Sequence, residues 1–372
     1  MRLVSEQVFL VKFKDLDMLK KLINIAAVSF CLSMNAYAGD IKIVGKIDLN
    51  RPSNKQLGFK SNVDTIALLK LNVSEKAKQS IKHRLHRKAK NVNLGANSSG
   101  IISKVDLGME SVPVLNQGRH GTCVTFAVTA GLDAVLKKGD YISQLCQLSL
   151  GRYLENHAYL DSGWDGTWSR SVLSQIDVFG IAAKGVEREH NCGGVSEYPM
   201  CGPDLTIEES IDDFRQISEK ISVNNAAWSS ILDIYQISSD NLNPEATLRE
   251  VKKSLQAGDR VVFGSLLLNF DMGVVGAVGT HNVSNDTWIL TPEIIQSIDD
   301  QTEFAGHAML ITGYDDNAIA TDSLGRIYKG LLKIRNSWGD KIGDKGDFYM
   351  SYSYFKGLAL EAQRIRALHA SE

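Results

Sequence analysis

The spacing of apolar residues predicts a small module of strand and helix early in the chain. Apolar and polar residues alternate along residues 41–49, which predicts a strand or a hairpin. Ser74 precedes a stretch with apolar residues at every fourth position, so we expect Ser74 to cap a helix that reaches about Lys90. The narrow apolar face of this helix would consist of Ala77, Ile81 and Leu85.

The later part of the chain alternates between helical and extended patterns. Small apolar residues at 124–134 follow a glycine-containing loop and predict a buried helix. Residues 247–257 predict a second helix, which Gly258 would close before a strand at residues 261–264. Two further apolar stretches, one after His307 and one before Asn336, predict strands.

The amino terminus has the pattern of an export signal. Lys20 and Lys21 precede an apolar run at residues 22–32, and an Ala-Tyr-Ala sequence ends at Ala38. A basic start, a short apolar run and an Ala-x-Ala site are the three parts of a cleavable signal. The run is about half of the roughly 20 residues that a spanning helix needs, so no stable membrane span is expected. We interpret residues 1–38 as a signal peptide that directs the protein to the periplasm or the exterior.

The first 17 residues do not suit the leading region of such a signal. They carry three acidic side chains, and Met18 is therefore an alternative start of the protein. The acidic residues are Glu6, Asp15 and Asp17.

The charge of the chain is unevenly distributed. The 372 residues include 41 basic and 43 acidic side chains, and this net charge of −2 gives no support to nucleic-acid binding. Residues 39–104, however, hold 14 basic and 4 acidic side chains, a net charge of +10, whereas residues 105–372 hold 22 and 36, a net charge of −14. A Gly/Ser/Asn-rich stretch at residues 94–100 predicts a flexible linker near their junction.

This order of segments is typical of a zymogen. We interpret residues 39–104 as a basic prosegment and as the autoinhibitory partner of an acidic domain at residues 105–372. The alternative is a permanent module that binds a partner protein or a membrane surface.

A thiol nucleophile is predicted at Cys123. The sequence NQGRHGTC ends at this residue, and Gly118 and Gly121 favour a tight loop that leads into the buried helix. The N–H groups and dipole at a helix amino terminus stabilise the reactive thiolate. Gln117 lies on the same loop, so its amide and the backbone N–H of Cys123 could form an oxyanion hole.

Two later motifs supply the partners that such a thiol needs. His307 starts one predicted strand and Asn336 ends another. A histidine that faces a thiol with one ring nitrogen needs an acceptor for the proton on its other nitrogen, and the amide of Asn336 is one. Trp338 could shield the bond between His307 and Asn336 from water.

Together these residues resemble the papain-like cysteine peptidases, especially bacterial members. The resemblance runs from about Val105 to Tyr354 and rests on the segments DLG, NQGRHGTC, GHAMLITGYDD and NSWG. It implies an α+β fold of two lobes, one mainly helical and one a β-barrel-like sheet, behind a prosegment with a hairpin or strand and a helix.

The resemblance also assigns roles to particular residues. Cys123 would be the nucleophile, His307 the general acid and base, Asn336 the residue that orients His307, and Gln117 the oxyanion donor. No metal or cofactor is implied. The residues implied to bind substrate are Gly166, Gly306 and Trp338.

Two departures from the family pattern matter. The usual double-glycine substrate motif is absent from its expected place, where Gly166 is a loose counterpart. His120 stands where the family usually has a disulfide cysteine, and its position on the Cys123 loop is poor for a catalytic base.

The cysteines separate into three groups. Cys31 would leave with the signal and Cys123 would be reactive. The remaining three predict one disulfide and one free thiol, which export permits. We favour a disulfide between Cys192 and Cys201 because these residues flank a short loop, although Cys146 could pair with either.

Three functions are consistent with these motifs. The first is an exported, monomeric cysteine peptidase that is made as a zymogen and acts on proteins or peptides. The second is another acyl transfer by the same thiol, such as amide hydrolysis or transglutamination of a specific target. The third is a non-catalytic peptide-binding protein on a peptidase scaffold.

Overall fold

A computed structural model describes most of the chain after the predicted signal. The described residues are 39–50, 65–86, 100–161, 163–202, 206–221, 225–239 and 241–368. The predicted signal at residues 1–38 and most of the predicted linker at residues 94–100 lie outside them.

The amino-terminal module has the predicted elements. Strands β1 (Ile41–Asn50) and β2 (Thr65–Val73) pair antiparallel, and helix α1 (Glu75–His86) follows. The Ser74 hydroxyl accepts a hydrogen bond from the backbone N–H of Ala77 at 3.1 Å, which confirms the predicted cap. The described part of the helix ends at His86, and the predicted continuation to Lys90 lies beyond it. Its buried face consists of Ala77, Ile81 and Leu85, as the spacing predicted.

The predicted nucleophile begins the first of three helices that pack together. They are α2 (Cys123–Leu136), α3 (Gln144–Asn156) and α4 (Ser169–Phe179). Helix α2 is buried on all sides because its small residues allow close approach. A Cβ atom on Gly131 would lie 3.0 Å from a methyl group of Leu310 and 3.2 Å from one of Ile365. Small additions complete this part of the molecule: α5 (Lys184–His190), α6 (Ile211–Ile217), β4 (Ile181–Ala182) and β5 (Ser218–Glu219).

A ten-stranded sheet packs against α2. Its main path runs through β6 (Ala226–Leu232), β12 (Ala359–Ala367), β7 (Arg260–Leu267), β9 (Phe304–Thr321), β10 (Ile327–Arg335), β11 (Asp347–Ser351) and β8 (Thr287–Trp288). The hairpin β1–β2 and strand β3 (Lys104–Asp106) join at β9. Among the described residues the path does not close into a barrel. The fold is therefore the predicted mixture of helices and sheet.

Three helices flank the sheet, and one of them begins earlier than the sequence pattern predicted. They are α7 (Pro244–Gln256), α8 (Pro292–Ser297) and α9 (Tyr352–Leu358). Helix α7 was expected to begin at Thr247. It begins at Pro244 because the Asn243 side chain accepts a hydrogen bond from the backbone N–H of Ala246 at 3.2 Å, with the proline at a favourable first position.

Strand β9 connects the amino-terminal module to the rest of the molecule. It pairs antiparallel with β7 and β10, and Leu69 of β2 pairs with Gly306 of β9. Residues 100–103, before β3, are also bound to the later part of the chain. The side chain of Gln256 bonds the carbonyl oxygen of Gly100 at 2.6 Å and the N–H of Ile102 at 3.1 Å.

The predicted disulfide between Cys192 and Cys201 is wrong. Cys192 is buried and bonded to Cys146 of α3, with the two Cα atoms 5.0 Å apart. Cys201 is an exposed free thiol. The short loop does not close on itself because its later residues bond elsewhere: the carbonyl oxygen of Met200 accepts a hydrogen bond from the backbone N–H of Arg119.

A buried carboxyl group joins the sheet to α4. Glu361 of β12 is 2% exposed. It accepts hydrogen bonds from the backbone N–H of Ser169 at 3.0 Å and from its hydroxyl at 2.8 Å. Burial raises the pKa of Glu361 to about 7, although the bonds from Ser169 oppose the rise.

Replacing this carboxyl group should alter the pH dependence of stability. The pKa of Glu361 lies above its ordinary value of 4.5, so its contribution to folding is fully present below pH 4.5 and is lost as the pH rises through about 7. We expect Glu361→Gln to raise the free energy of unfolding at pH 8 by on the order of 2 kcal/mol relative to the wild type, and to raise it less at pH 5. Urea unfolding at both pH values measures this.

The matched control is Glu189→Gln, at an exposed position on α5. This substitution should change the free energy of unfolding by no more than a few tenths of a kcal/mol at either pH. An equal shift of Glu361→Gln at pH 5 and pH 8 would contradict the assignment.

Candidate active site

The thiol of Cys123 lies at the amino terminus of α2, as the sequence predicted. The backbone N–H of Ala308 donates a hydrogen bond to the sulfur at 3.4 Å. Cys123 is fully buried, and this burial raises the pKa of its thiol to about 12. The N–H groups of Ala308, Val124 and Cys123 oppose the rise without overcoming it. The described state therefore holds a neutral thiol.

The imidazole of His307 is bonded to the side chain of Asn336. The distance from Nε2 to the amide oxygen Oδ1 is 2.8 Å. Because that oxygen can only accept, Nε2 carries the proton, and Nδ1 of the neutral ring has a free lone pair. Nδ1 is buried and has no hydrogen-bond partner among the residues that the structure describes. Burial lowers the pKa of His307 to about 4, so the ring is neutral at pH 7.

Strand pairing brings these two residues together. The register of β9 and β10 pairs Leu310 with Arg335, and β10 ends there. Asn336 therefore comes directly after a strand that neighbours the one carrying His307. The Trp338 ring stacks on the imidazole, with the ring centres 4.5 Å apart and an interplanar angle of 19°. The sequence predicted that Trp338 would shield the bond between His307 and Asn336 from water, and the structure stacks its ring on the imidazole of that pair.

Gln117 is held beside this pair by the residue that follows Asn336. The Ser337 hydroxyl donates to the Gln117 side-chain oxygen at 2.8 Å, and the Ser337 carbonyl accepts from the Gln117 backbone N–H at 2.8 Å. The side-chain nitrogen Nε2 of Gln117 therefore points away from Ser337. It donates to the carbonyl oxygen of His120 at 2.9 Å and to that of Ala67 at 3.3 Å.

The turn after Gln117 requires a glycine. Gly118 has a φ of +59°, and a Cβ atom there would lie 2.1 Å from the carbonyl oxygen of Met200. Any other residue would be strained and would displace the loop.

The structure thus brings four sequence-predicted residues into one buried site. Gln117, Cys123, His307 and Asn336 are each at most 3% exposed. The thiol, the imidazole and the side-chain amide of Gln117 have the chemistry of nucleophilic acyl transfer.

The amino-terminal hairpin covers this site. A Cβ atom on Gly166 would lie 2.6 Å from Leu69 and 2.8 Å from Ile43, and one on Gly306 would lie 2.7 Å from Leu71. The two glycines that the family resemblance implied to bind substrate therefore contact β1 and β2. An extended strand from the same chain, β2, therefore lies against both glycines.

His120 has a different environment from His307. Its Nε2 donates to the carbonyl oxygen of Pro199 at 2.8 Å, and its ring packs edge-on against Trp164 and Tyr198. Burial lowers its pKa. These contacts give His120 a structural role in holding the loop.

Three residues of the site escaped sequence analysis. They are Ser337, Thr122 and Tyr198. Their positions depend on bonds between distant parts of the chain, and no spacing in the sequence marks them. Ser337 lies within the NSWG segment, which offered a signal only for the segment as a whole.

No metal-binding cluster and no spanning helix occur in the part of the chain that the structure describes. No three His, Cys, Asp or Glu side chains of those residues lie close enough together to hold a metal ion. None of the helices in that part combines the length and the apolar character that crossing a membrane requires.

A family comparison matches the later part of the chain. Residues 220–363 match the model of the Peptidase C1-like family, and this range contains His307 and Asn336. Over these residues the match agrees with the resemblance inferred from the motifs. No curated protein matches the sequence.

Several solved structures are similar to this chain. Xylellain, a cysteine protease from Xylella fastidiosa, is 21% identical, with 73% of this chain and 88% of that chain covered and a TM-score of 0.46. The proform of the ragweed pollen cysteine protease Amb a 11 is 17% identical, with 80% and 76% covered and a TM-score of 0.42. Procathepsin L 3 of Tenebrio molitor is 14% identical, with 94% and 90% covered and a TM-score of 0.44.

The raised thiol pKa predicts the pH dependence of alkylation in the unprocessed chain. Because only the thiolate reacts and the pKa of Cys123 is about 12, the rate with iodoacetamide should rise about tenfold per pH unit from pH 7 to pH 10. The Cys201→Ser variant serves for this measurement, because it removes the exposed free thiol. Mass spectrometry of the modified peptide gives the rate, and a plateau below pH 8 would contradict the prediction.

Proposed function

We propose that this chain is an exported cysteine peptidase made as a zymogen, which hydrolyses peptide bonds through a thioester on Cys123. The observation that carries the proposal is the neutral His307 ring, bonded to Asn336 through Nε2 and with Nδ1 unpartnered. The backbone N–H of the next residue, Ala308, bonds the Cys123 sulfur. These contacts supply a nucleophile, a base and an orienting group in one site.

The proposed reaction has two stages. The Cys123 proton passes to Nδ1 of His307 while the sulfur attacks the peptide carbonyl carbon. The developing oxyanion accepts hydrogen bonds from Nε2 of Gln117 and the backbone N–H of Cys123. His307 then protonates the departing amine, which leaves a thioester. In the second stage His307 removes a proton from water, and the resulting attack on the thioester releases the carboxylic acid and restores the thiol.

Asn336 and Trp338 support the histidine in this scheme. Asn336 holds the proton on Nε2, so Nδ1 remains the basic nitrogen. The stacked Trp338 covers one face of the ring and keeps water from the His307–Asn336 bond.

We further propose that residues 39–104 are an autoinhibitory prosegment. The contacts of β2 support this role, because Leu69 lies between Gly166 and Gly306. The carbonyl oxygen of Ala67 accepts a hydrogen bond from Nε2 of Gln117, the proposed oxyanion donor. A peptide that needs these groups cannot bind while β2 occupies them.

Helix α1 provides a second anchor for the prosegment. The Leu85 side chain packs against Gly357 of α9 so closely that a Cβ atom on this glycine would lie 2.5 Å from a methyl group of Leu85. The Arg84 guanidinium donates a hydrogen bond to the carbonyl oxygen of Ala359 at 3.1 Å. Ion pairs at the margin join Lys70 to Glu303 and Lys82 to Asp299, and all four side chains are substantially exposed. Buried apolar contacts therefore contribute more to docking than the opposite charges do.

Export rests on the predicted signal and on one structural observation. The disulfide between Cys146 and Cys192 fits an oxidising compartment such as the periplasm or the exterior. The extended β2 strand in the cleft favours peptide hydrolysis over the other acyl transfers, because an acyl-transfer site for a single side chain does not require strand pairing.

Covalent labelling tests the proposed peptidase. The full chain, before and after limited proteolysis, is incubated with a thiol-directed epoxide and a peptide library. We expect the processed wild type to take up label at Cys123 and to cleave peptides, and Cys123→Ala to do neither. The unprocessed wild type should label at least tenfold more slowly, because β2 fills the cleft.

The control for this experiment is Cys201→Ser, which removes the exposed free thiol and should behave as the wild type. The proposed peptidase would be refuted if labelling were lost in Cys201→Ser, or if the processed wild type cleaved no peptide. Equal labelling before and after processing would refute autoinhibition.

A pair of variants separates the apolar and ionic contributions to docking. Ile81 of α1 is fully buried, so Ile81→Ala should weaken docking by about 2–4 kcal/mol and speed labelling of the unprocessed chain. Lys82→Ala breaks an exposed ion pair and should weaken docking by less than about 1 kcal/mol. Salt should have little effect on labelling for the same reason. A larger effect of Lys82→Ala, or strong release by salt, would show that charge dominates.

A further inference from the structure

One short segment, residues 198–200, forms hydrogen bonds with four of the seven residues of the loop that carries the proposed oxyanion donors. We name residues 117–123 the oxyanion loop. The hydroxyl of Tyr198 donates to the carbonyl oxygen of Gln117 at 2.8 Å. The carbonyl oxygen of Pro199 accepts from His120 at 2.8 Å, and that of Met200 accepts from the backbone N–H of Arg119 at 2.9 Å.

The Tyr198 hydroxyl also reaches the other end of the loop. Its oxygen lies 2.9 Å from the hydroxyl oxygen of Thr122. Because the Tyr198 proton is directed at Gln117, Thr122 donates and Tyr198 accepts. A single hydroxyl thus connects the residue that supplies the side-chain donor with the residue immediately before Cys123.

Because its hydroxyl bonds Tyr198, Thr122 does not cap α2 with its side chain. Thr122 is the N-cap residue of α2, and a threonine there usually accepts a hydrogen bond from an N–H of the first turn. In this structure its side chain makes no such bond. The N–H groups at the start of α2 are left for the thiol and for a substrate oxyanion.

The aromatic surroundings fix the Tyr198 ring in place. The ring meets Phe126 edge-on with the centres 5.0 Å apart, and it stacks with Trp164 at 5.8 Å. Cys192, which precedes residues 198–200 in the chain, is fixed to α3 by its disulfide with Cys146. The hydroxyl therefore has a defined position.

We propose that Tyr198 is a positioning residue for the oxyanion hole. Its hydroxyl fixes the separation of Gln117 and Thr122, so that Nε2 of Gln117 and the backbone N–H of Cys123 converge on one oxygen atom. Preorganised donors stabilise an oxyanion only when they already lie at hydrogen-bond distance from it, so a small shift in the loop reduces the rate. The inference rests on the proposed function, because it assumes that these groups bind a developing oxyanion.

The test compares Tyr198→Phe with Tyr354→Phe in the full chain after limited proteolysis. Tyr354 is a suitable control because it is buried and its hydroxyl also makes two hydrogen bonds, to Leu266 at 3.2 Å and from Leu268 at 3.3 Å, both of which lie outside the oxyanion loop. Three quantities are measured: kcat and KM on a peptide, the inhibition constant of a peptide aldehyde, and the rate of alkylation by iodoacetamide. The aldehyde forms a tetrahedral adduct that uses the oxyanion hole, whereas iodoacetamide reports only on the thiol.

We expect Tyr198→Phe to lower kcat roughly tenfold and to weaken the aldehyde by a similar factor, while KM and the alkylation rate change by less than about twofold. Tyr354→Phe should leave all of these within about twofold. Thr122→Val, which removes the other hydroxyl, should give a loss of about threefold to fivefold in the same two quantities. This second variant decides the matter if Tyr198→Phe does not fold.

Three results would overturn the inference. One is unchanged kcat in Tyr198→Phe together with an active wild type, which leaves the proposed function intact. Another is a parallel fall in kcat and alkylation rate, which would indicate general disruption of the site. The third is a wild type that neither cleaves peptide nor binds the aldehyde, which would refute the proposed function as well.

Discussion

The arrangement of the site depends on the unequal pairing of the two edges of β9. Strand β7 covers one edge along residues 305–311, whereas β10 covers the other only from residue 310 onward. His307 lies in the part of β9 that β10 leaves uncovered. Asn336 follows the last paired residue of β10 and can reach the imidazole, and β2 fills the remaining edge at residues 304–306. One strand therefore determines the position of the base, its orienting amide and the strand that covers them.

Burial then sets the protonation state of the covered site. An isolated charge is costly in a dry interior, so both members of the pair favour their neutral forms. The pKa of Cys123 rises to about 12 and that of His307 falls to about 4. In the zymogen proposed above, the cover that β2 forms over the site would both exclude substrate and suppress the thiolate. In the proposed zymogen, removal of β2 would reverse both effects together.

The sequence predicted the residues that local structure positions, and it missed those that depend on long-range contacts. Cys123 could be placed because a glycine loop and a run of small residues define the start of a helix, and Ala77, Ile81 and Leu85 because helical spacing defines a face. The partner of Cys192 could not be inferred, since Cys146 lies 46 residues away and only the packing of α3 brings it near. Tyr198 was hidden for the same reason, because its bonds to Gln117 and Thr122 span more than 70 residues.

The opposite charges of residues 39–104 and 105–372 contribute little to the contact between these two parts of the chain. The ion pairs of the basic segment lie at the margin, as for Lys70 and Glu303, where water screens them. The centre of the contact is apolar side chains together with backbone pairing of β2 to β9, and neither responds strongly to salt. Opposite charge can speed the first docking of the segment during folding, because attraction between charged surfaces acts at long range. In the proposed zymogen, retention of the segment would depend on β2 and α1, so proteolysis of the segment would release it more effectively than a change in ionic strength.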